Sequence, residues 1–342
     1  MKAAILEKVT SLKENKQPLK MVEVPKPVIG AEEILVKVSA CGVCHTELDE
    51  IEGRTHPAML PIIPGHQVVG IVAERGKLTK KFEIGARVGI GWINYACGLC
   101  QACISQNENL CPDFRATGRD VHGGYAEYLK IAEDFAFAVP DVFSDVQAAP
   151  LLCAGAIGYR SLRLANLADG QRLGLAGFGA SAHLVLKMVR YRYPHAKIFV
   201  FARNKGEQDF ARELGAVWAG DISAESPEKL NAIIDTTPVW KTIIDTLKNL
   251  EPAGRLVINA IRKEDRDKNC LMQLDYGDHL WLEKEIKSVA NVTRSDIEKF
   301  LNLAALIPII PQVEEYPLDE VNRAIVEIKE GKIRGAKVLR VV

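Results

Sequence analysis

This 342-residue sequence lacks any apolar run long enough to span a membrane as a helix, which requires about 20 residues. Its longest apolar runs fall well below this length, and one of them, from Leu303 to Ile310, also contains Pro308. It also lacks an excess of charge of one sign, because Lys plus Arg and Asp plus Glu each number 44. No net charge therefore draws the chain to nucleic acid or anionic lipid, and we expect neither as a partner.

The N-terminal segment and the clustering of the cysteines favour a reducing cellular compartment. The first apolar residues give way to Glu7 and Lys8 before the core of an export signal could form. Half of the eight cysteines lie between Cys97 and Cys111, which is too clustered for a disulfide framework and suits metal ligation under reducing conditions. We therefore expect a cytoplasmic protein.

The chain is long enough for two domains, and its predicted secondary structure changes near the middle of the sequence. Residues 1 to about 150 contain short β-type runs, such as 33–38 and 68–72, separated by Gly and Pro. From about residue 155, strands and helices alternate as in a doubly wound parallel sheet. The predicted strands there are 172–176, 197–201, 232–235 and 255–258, and the predicted helices are 180–191, 207–214 and 239–247. Helices at 295–305 and 318–329 and a strand at 336–341 are predicted to follow.

The strongest metal-binding pattern is Cys97-x2-Cys100-x2-Cys103-x7-Cys111. Four thiolates in so short a segment can close a tetrahedral site, which is typical of a structural zinc and leaves no position for substrate. An iron–sulfur cluster, a set of buried thiols and a zinc-ribbon nucleic-acid module are the alternatives. The neutral charge and the lack of interleaved basic and aromatic residues disfavour the last.

A second set of candidate ligands is dispersed along the chain. Cys44, His66 and Cys153 lie in the separate segments 41–47, 65–70 and 151–155. Each also has an ordinary structural interpretation, because free cysteines are often buried and a lone histidine usually serves as a hydrogen-bonding partner. Spacing alone does not choose between these interpretations.

A glycine pattern lies between a predicted strand and a predicted helix. Gly177 allows a tight turn, Gly179 lets a pyrophosphate approach the helix N-terminus, and Ala182 allows close packing of helix and strand. In this strand–helix–strand context the pattern predicts a dinucleotide site, and a purely structural glycine turn is the alternative.

Together these motifs resemble the zinc-dependent alcohol dehydrogenases of the medium-chain dehydrogenase/reductase superfamily, in the family's order and over essentially the whole chain. The resemblance implies an α/β fold: a GroES-like, mostly β catalytic domain (residues 1–154 and 290–342) plus a Rossmann doubly wound parallel-sheet domain (residues 155–289), with the active site in the cleft between them. It further implies an NAD(P)-dependent oxidoreductase acting on a primary or secondary alcohol or aldehyde, and a homo-oligomer, either dimer or tetramer.

The resemblance also implies roles for individual residues and two zinc ions per chain, one catalytic and one structural. Cys44, His66 and Cys153 match the catalytic zinc ligands, whereas Cys41 and Cys270 match none and are interpreted as structural thiols. Three protein ligands leave one position open, where an alcohol can bind and lose its proton near neutral pH. The other matches are Thr46 for the hydroxyl that takes the alcohol proton, Glu47 for a carboxylate that orients the ligand histidine, His45 and Arg334 for cofactor phosphate contacts, and Trp92 for a wall of the substrate pocket.

Three positions depart from the family pattern. Gln67 replaces the glutamate that usually follows the ligand histidine, and Asp49 replaces a histidine that often ends the proton relay. Where NAD-dependent members carry an acidic residue, this chain has Ala202, followed by Arg203 and then Lys205. These cations could meet the 2′-phosphate of NADP(H), so we predict NADP(H) as the preferred cofactor.

Three alternatives remain at this point. They are an NAD-preferring alcohol dehydrogenase, a zinc-free quinone or enoyl reductase, and a non-enzymatic zinc- or nucleotide-binding protein of the same fold. The zinc-free reductase would need neither the dispersed ligands nor the cysteine cluster. Zinc content, combined with aldehyde-dependent oxidation of NADPH, separates these alternatives.

Overall fold

A computed structural model describes residues 1–307, 309–331 and 335–341. The chain divides into two compact units, one made of Met1–Cys153 with Val292–Val342 and the other of Ala154–Asn291. Within the described ranges, no helix combines the length and apolar character needed to cross a membrane.

The secondary-structure elements are numbered along the chain. The strands are β1 (Lys2–Leu6), β2 (Leu19–Glu23), β3 (Glu33–Val43), β4 (Gln67–Arg75), β5 (Arg87–Ile90), β6 (Ile93–Tyr95), β7 (Arg115–Ala116), β8 (Tyr128–Ala132), β9 (Ala136–Ala138), β10 (Arg172–Ala176), β11 (Lys197–Phe201), β12 (Trp218–Gly220), β13 (Leu230–Asp235), β14 (Leu250–Ile258), β15 (Glu285–Ser288), β16 (Val313–Pro317) and β17 (Ala336–Arg340). The helices are α1 (His45–Ile51), α2 (Gln101–Ile104), α3 (Asp145–Pro150), α4 (Ala156–Ala165), α5 (Ala180–Arg192), α6 (Lys205–Glu213), α7 (Trp240–Leu247), α8 (Arg294–Leu306) and α9 (Val321–Lys329).

The first unit is built around a mixed sheet in the order β16-β17-β3-β4-β5-β9, with β8 also pairing with β3. The long strand β3 is mostly buried and pairs antiparallel with β4. The register places Gly42, near the end of β3, opposite Gln67, at the start of β4. The chain segments just beyond these two residues are therefore neighbours, although more than 20 residues separate them in sequence.

The second unit contains a sheet in the order β12-β11-β10-β13-β14-β15, and each neighbouring pair is parallel. Its central strands are continuous apolar runs because both faces of a doubly wound sheet are covered. The strand order reverses between β10 and β13, and ligands of such sheets bind at the carboxyl ends of the strands beside this point. The predicted alternation of strands and helices is confirmed.

Most predicted elements occur where expected, and the exceptions have physical causes. The strands predicted at 172–176 and 197–201 coincide with β10 and β11. Residues 318–320 form a 3-10 turn before α9, so the helix predicted at 318–329 begins later. The sequence analysis missed β15, whose four residues are all exposed and carry no pattern of buried apolar positions. It also missed α3, which lies in the part of the chain that we expected to be mainly β, and α4, which lies between that part and the first predicted strand of the parallel sheet.

Candidate active site

Cys44 directly follows β3 and forms the N-cap of α1. Its Sγ accepts a hydrogen bond from the Thr46 N–H at 3.3 Å, and the Glu47 Oε2 accepts one from the Cys44 N–H at 2.8 Å. This reciprocal capping box satisfies two backbone donors at the helix start. The sulfur of Cys44 is therefore held in a fixed orientation by the local sequence.

His66 lies just before β4 and is fully buried. The preceding Gly65 has a φ of +96°, and a Cβ there would lie 2.5 Å from the ring of Tyr125, so only glycine fits this turn. The His66 Nε2 is 3.8 Å from the Cys44 Sγ, and its Nδ1 is 2.5 Å from the Glu47 Oε1. Burial alone would lower the pKa of His66, but the nearby Glu47 carboxylate and Cys44 raise it well above its ordinary value.

Cys153 lies in a π-helical turn, Leu151–Gly155, that follows α3. Such turns are uncommon and occur frequently at functional sites. The ligand atoms of Cys44, His66 and Cys153 all lie within 4.8 Å of one another. Around a tetrahedral zinc, neighbouring sulfur and nitrogen ligands lie roughly 3.5 to 3.8 Å apart, so the Cys44–His66 distance and the donor types fit this metal.

The four clustered cysteines also converge. Cys97 and Cys111 lie 3.5 Å apart, Cys100 and Cys103 3.6 Å, and Cys97 and Cys103 3.9 Å, each measured between sulfurs. In a tetrahedral site with zinc–sulfur bonds of about 2.3 Å, sulfurs are roughly 3.8 Å apart. Backbone N–H groups of Leu99 and Cys100 lower the pKa of Cys97 to about 6, whereas burial raises the pKa of Cys103 and that of Cys111. The arrangement fits a closed structural zinc site.

The predicted proton-relay residues lie on α1. Thr46 is buried beside Cys44, and the Asp49 carboxylate is buried and lies 2.6 Å from the Arg54 Nε. A relay that ends on Asp49 would therefore compete with an ion pair. The roles of Thr46, Asp49 and His45 stay predictions.

Trp92 and Gln67 were also singled out by the sequence analysis, and both are buried. Trp92 is buried, its ring lies 5.3 Å from that of Phe114, and the Arg119 guanidinium lies 4.9 Å above it. Its Nε1–H has no hydrogen-bond partner among the described residues. Gln67 is buried against the backbone of Gly42, where an added Cβ would come within 2.2 Å of the Gln67 Oε1. The role of Trp92 as a pocket wall stays a prediction.

The predicted dinucleotide turn lies at the carboxyl end of β10. Gly177 has a φ of +78°, which favours glycine, and Ala182 is buried. Gly179 is the N-cap of α5, and a Cβ added there would meet no atom within 4 Å. Because protein packing does not fill this space, a phosphate group can approach the free N–H groups of the helix.

The residues predicted to select the cofactor follow β11. Ala202 is buried, whereas Arg203 is exposed and has no ion-pair partner among the described residues. The Lys205 ammonium instead lies 2.8 Å from Asp209. Arg334, predicted to contact a cofactor phosphate, lies outside the described residues.

The sequence analysis did not single out several buried charged residues, among them Glu50 and the pair of Asp235 and Lys263. Glu50 is buried on α1, and neither of its carboxyl oxygens has a hydrogen-bond partner within the described ranges. Burial and the nearby Glu47 carboxylate raise the pKa of Glu50 well above its usual range. Asp235 and Lys263 form a buried ion pair in the second unit. A signal existed for Asp235, which ends an apolar run and would be out of place there without a partner.

Comparison with known proteins identifies the family of the chain. Residues 30–141 match the alcohol dehydrogenase GroES-like domain. The chain is 40% identical over 327 residues to a probable alcohol dehydrogenase, AdhA, of Mycobacterium tuberculosis, covering 94% of this chain and 92% of that protein. It is 32% identical over 349 residues to an alcohol dehydrogenase of Geobacillus stearothermophilus, covering 99% of each. A solved cinnamyl alcohol dehydrogenase from Sorghum bicolor matches with a TM-score of 0.83 at 26% identity, covering 99% of this chain and 97% of the other.

With this fold and these relatives, the chain belongs to the zinc-type alcohol dehydrogenases of the medium-chain dehydrogenase/reductase superfamily. The predicted GroES-like and Rossmann architecture is confirmed. The chain is an alcohol dehydrogenase, and its substrates are small-molecule alcohols or aldehydes.

Proposed function

We propose that this alcohol dehydrogenase depends on zinc and transfers a hydride between a primary or secondary alcohol or aldehyde and a nicotinamide cofactor, with NADP(H) preferred. The observation that carries the proposal is the convergence of Cys44, His66 and Cys153, which come from three distant segments. Two thiolates and an imidazole suit zinc, and three protein ligands, rather than four, are typical of a catalytic site.

The proposal assigns a metal to each cluster. Cys44, His66 and Cys153 would hold the catalytic zinc, and the four clustered cysteines would hold a structural one. A zinc ion with three protein ligands supplies a Lewis acid with a position for an alcohol or carbonyl oxygen. Glu47 would accept a hydrogen bond from the His66 Nδ1–H, which leaves the Nε2 lone pair directed towards the site.

Proton transfer is assigned to α1. The Thr46 hydroxyl, two residues after Cys44, would accept the alcohol proton and release its own towards Asp49. Arg54 holds the Asp49 carboxylate in place through their ion pair, and Asp49 would act as a distal proton acceptor that solvent can replace.

Cofactor binding is assigned to the second unit. Gly177 and Gly179 would allow the pyrophosphate to approach the N-terminus of α5. Ala202 offers no carboxylate to repel a 2′-phosphate, and the exposed Arg203 would bind that phosphate. His45 and Arg334 stay predicted phosphate contacts.

We also propose that the protein is a homo-oligomer. Strand β15 forms an edge of the parallel sheet, and each of its residues is exposed, including the apolar Ile286. Trp281 and Leu282 are exposed just before it. An open edge with apolar neighbours is suited to pairing with another chain. Light scattering after size-exclusion chromatography tests this, and a parent protein that elutes as a monomer at all concentrations contradicts it.

Metal content and turnover test the main proposal together. We expect two zinc ions per parent chain and aldehyde-dependent oxidation of NADPH. Cys44→Ser should lose one zinc ion and almost all activity. Cys270→Ser, which removes a buried thiol that matches no ligand, is the control and should keep both metals. A parent chain that turns over without zinc, or a Cys44→Ser protein that retains both ions, contradicts the proposal.

A further inference from the structure

The Lys263 side chain is buried in the second unit and contacts three residues of segment 235–239. Its ammonium donates to the Asp235 carboxylate, to the Thr237 carbonyl oxygen at 2.8 Å and to the Val239 carbonyl oxygen at 3.1 Å. The Lys263 side chain is 6% exposed, and that of Asp235 is fully buried. A lysine ammonium has three N–H donors, so this geometry uses its whole capacity.

The same segment is held from its other side. The second Asp235 carboxylate oxygen accepts hydrogen bonds from the Thr237 N–H at 3.1 Å and the Thr237 hydroxyl at 2.8 Å. Two backbone bonds join the segment to the chain around Lys263: the Asn259 N–H donates to the Asp235 carbonyl at 2.8 Å, and the Glu264 N–H donates to Pro238 at 2.7 Å. Segment 235–239 is thus fixed in one conformation at the carboxyl end of β13.

This segment packs directly on the glycine turn. The Thr236 N–H and hydroxyl donate to the Ala176 carbonyl at 2.9 and 3.1 Å. A Cβ added to Gly177 would lie 2.8 Å from the Thr236 Oγ1 and 2.9 Å from the Thr237 Cγ2. The two threonines therefore form one wall of the turn, beside the reversal of strand order where dinucleotides bind.

We propose that Lys263 is a positioning residue for the dinucleotide, because its ammonium holds Thr236 and Thr237 against the glycine turn that receives the pyrophosphate. This inference rests on the proposed cofactor site. Burying an ion pair costs desolvation energy, and apolar residues of similar size would often stabilise a protein as well. What the three-way contact provides is a fixed backbone geometry, which lowers the cost of ordering the site when a ligand binds.

Three variants distinguish a positioning role of Lys263 from a role in fold stability alone. Lys263→Met removes the ammonium but leaves the Asp235 charge buried, so it also destabilises the fold. The double variant Asp235→Asn/Lys263→Met removes both charges and restores stability, but the Thr237 and Val239 carbonyls still lack their donor. Lys229→Met is the matched control, because the exposed Lys229 also donates to a backbone carbonyl, that of Lys248.

The measurements are the Kd values for NADPH and NADH by fluorescence titration, the melting temperature and the zinc content. We expect the double variant to bind both dinucleotides roughly tenfold more weakly, the cost of ordering two side chains, with its zinc content and NADPH-to-NADH preference unchanged. The control should match the parent. A folded double variant with parental Kd values overturns the positioning role alone, whereas a parent chain that binds neither dinucleotide overturns the proposed function and this inference with it.

Discussion

Replacing Arg203 with alanine should weaken the binding of NADPH much more than that of NADH. Arg203 is the second residue after β11, is exposed, and has no ion-pair partner among the described residues. Its guanidinium would therefore give up no ion pair that the described residues show if it bound a 2′-phosphate. Lys205 differs because its ammonium lies 2.8 Å from Asp209 and would have to leave that partner. We accordingly assign most of the proposed NADP(H) preference to Arg203.

The expected size of the effect follows from the strength of a charge-assisted hydrogen bond. Such a bond contributes about 1.5 to 3 kcal/mol, and each 1.4 kcal/mol is about a factor of ten in affinity. Arg203→Ala should thus weaken NADPH binding roughly 10- to 100-fold. NADH has no 2′-phosphate and should bind almost as before. Because the site is exposed, the loss should shrink as salt is raised.

The assay is kcat/KM for NADPH and NADH with one aldehyde, at low and physiological ionic strength. Lys205→Ala serves as the matched control, since it removes a nearby cation that is already paired, and its effect on NADPH should be smaller. Equal efficiency of the two dinucleotides in the parent protein would refute the reasoning, as would an Arg203→Ala variant that loses both dinucleotides equally.

Three further predictions concern the metal cluster, the proton relay and acid stability. Cys100→Ser should lose one zinc ion and lower the melting temperature, because the energy of metal binding is partly folding energy; a variant with both ions and the parental melting temperature contradicts this. Thr46→Val should be nearly inactive, and Asp49→Asn should show a milder rate loss with an altered pH profile; an unchanged profile removes Asp49 from the relay. Hydrogen bonds from Lys337 and its neighbours hold the pKa of Glu327 at about 2, against an ordinary 4.5. The stability from Glu327 is thus present above pH 4.5 and lost as the pH falls towards 2, and Lys337→Met should flatten that dependence in urea unfolding measured against pH.

The features that the sequence determined by itself are local ones. All four clustered cysteines lie within one short segment, so their convergence needs only a compact loop and not a particular tertiary fold. The strands β10 and β11 were predictable because both faces are covered in a doubly wound sheet, and the residues form unbroken apolar runs. Gly177 was predictable because a tight turn between strand and helix favours glycine, and its φ in the structure is positive.

Only the tertiary structure decided which dispersed residues meet. Cys44 and His66 become neighbours because β3 and β4 pair in the register that sets Gly42 opposite Gln67, and no local pattern specifies that register. Cys153 joins them from a π-helical turn that spacing does not predict. The pairing of Asp235 with Lys263 likewise depends on the parallel neighbours β13 and β14. Side-chain contacts between distant segments follow from how strands pair and pack, and the order of residues along one segment does not contain that information.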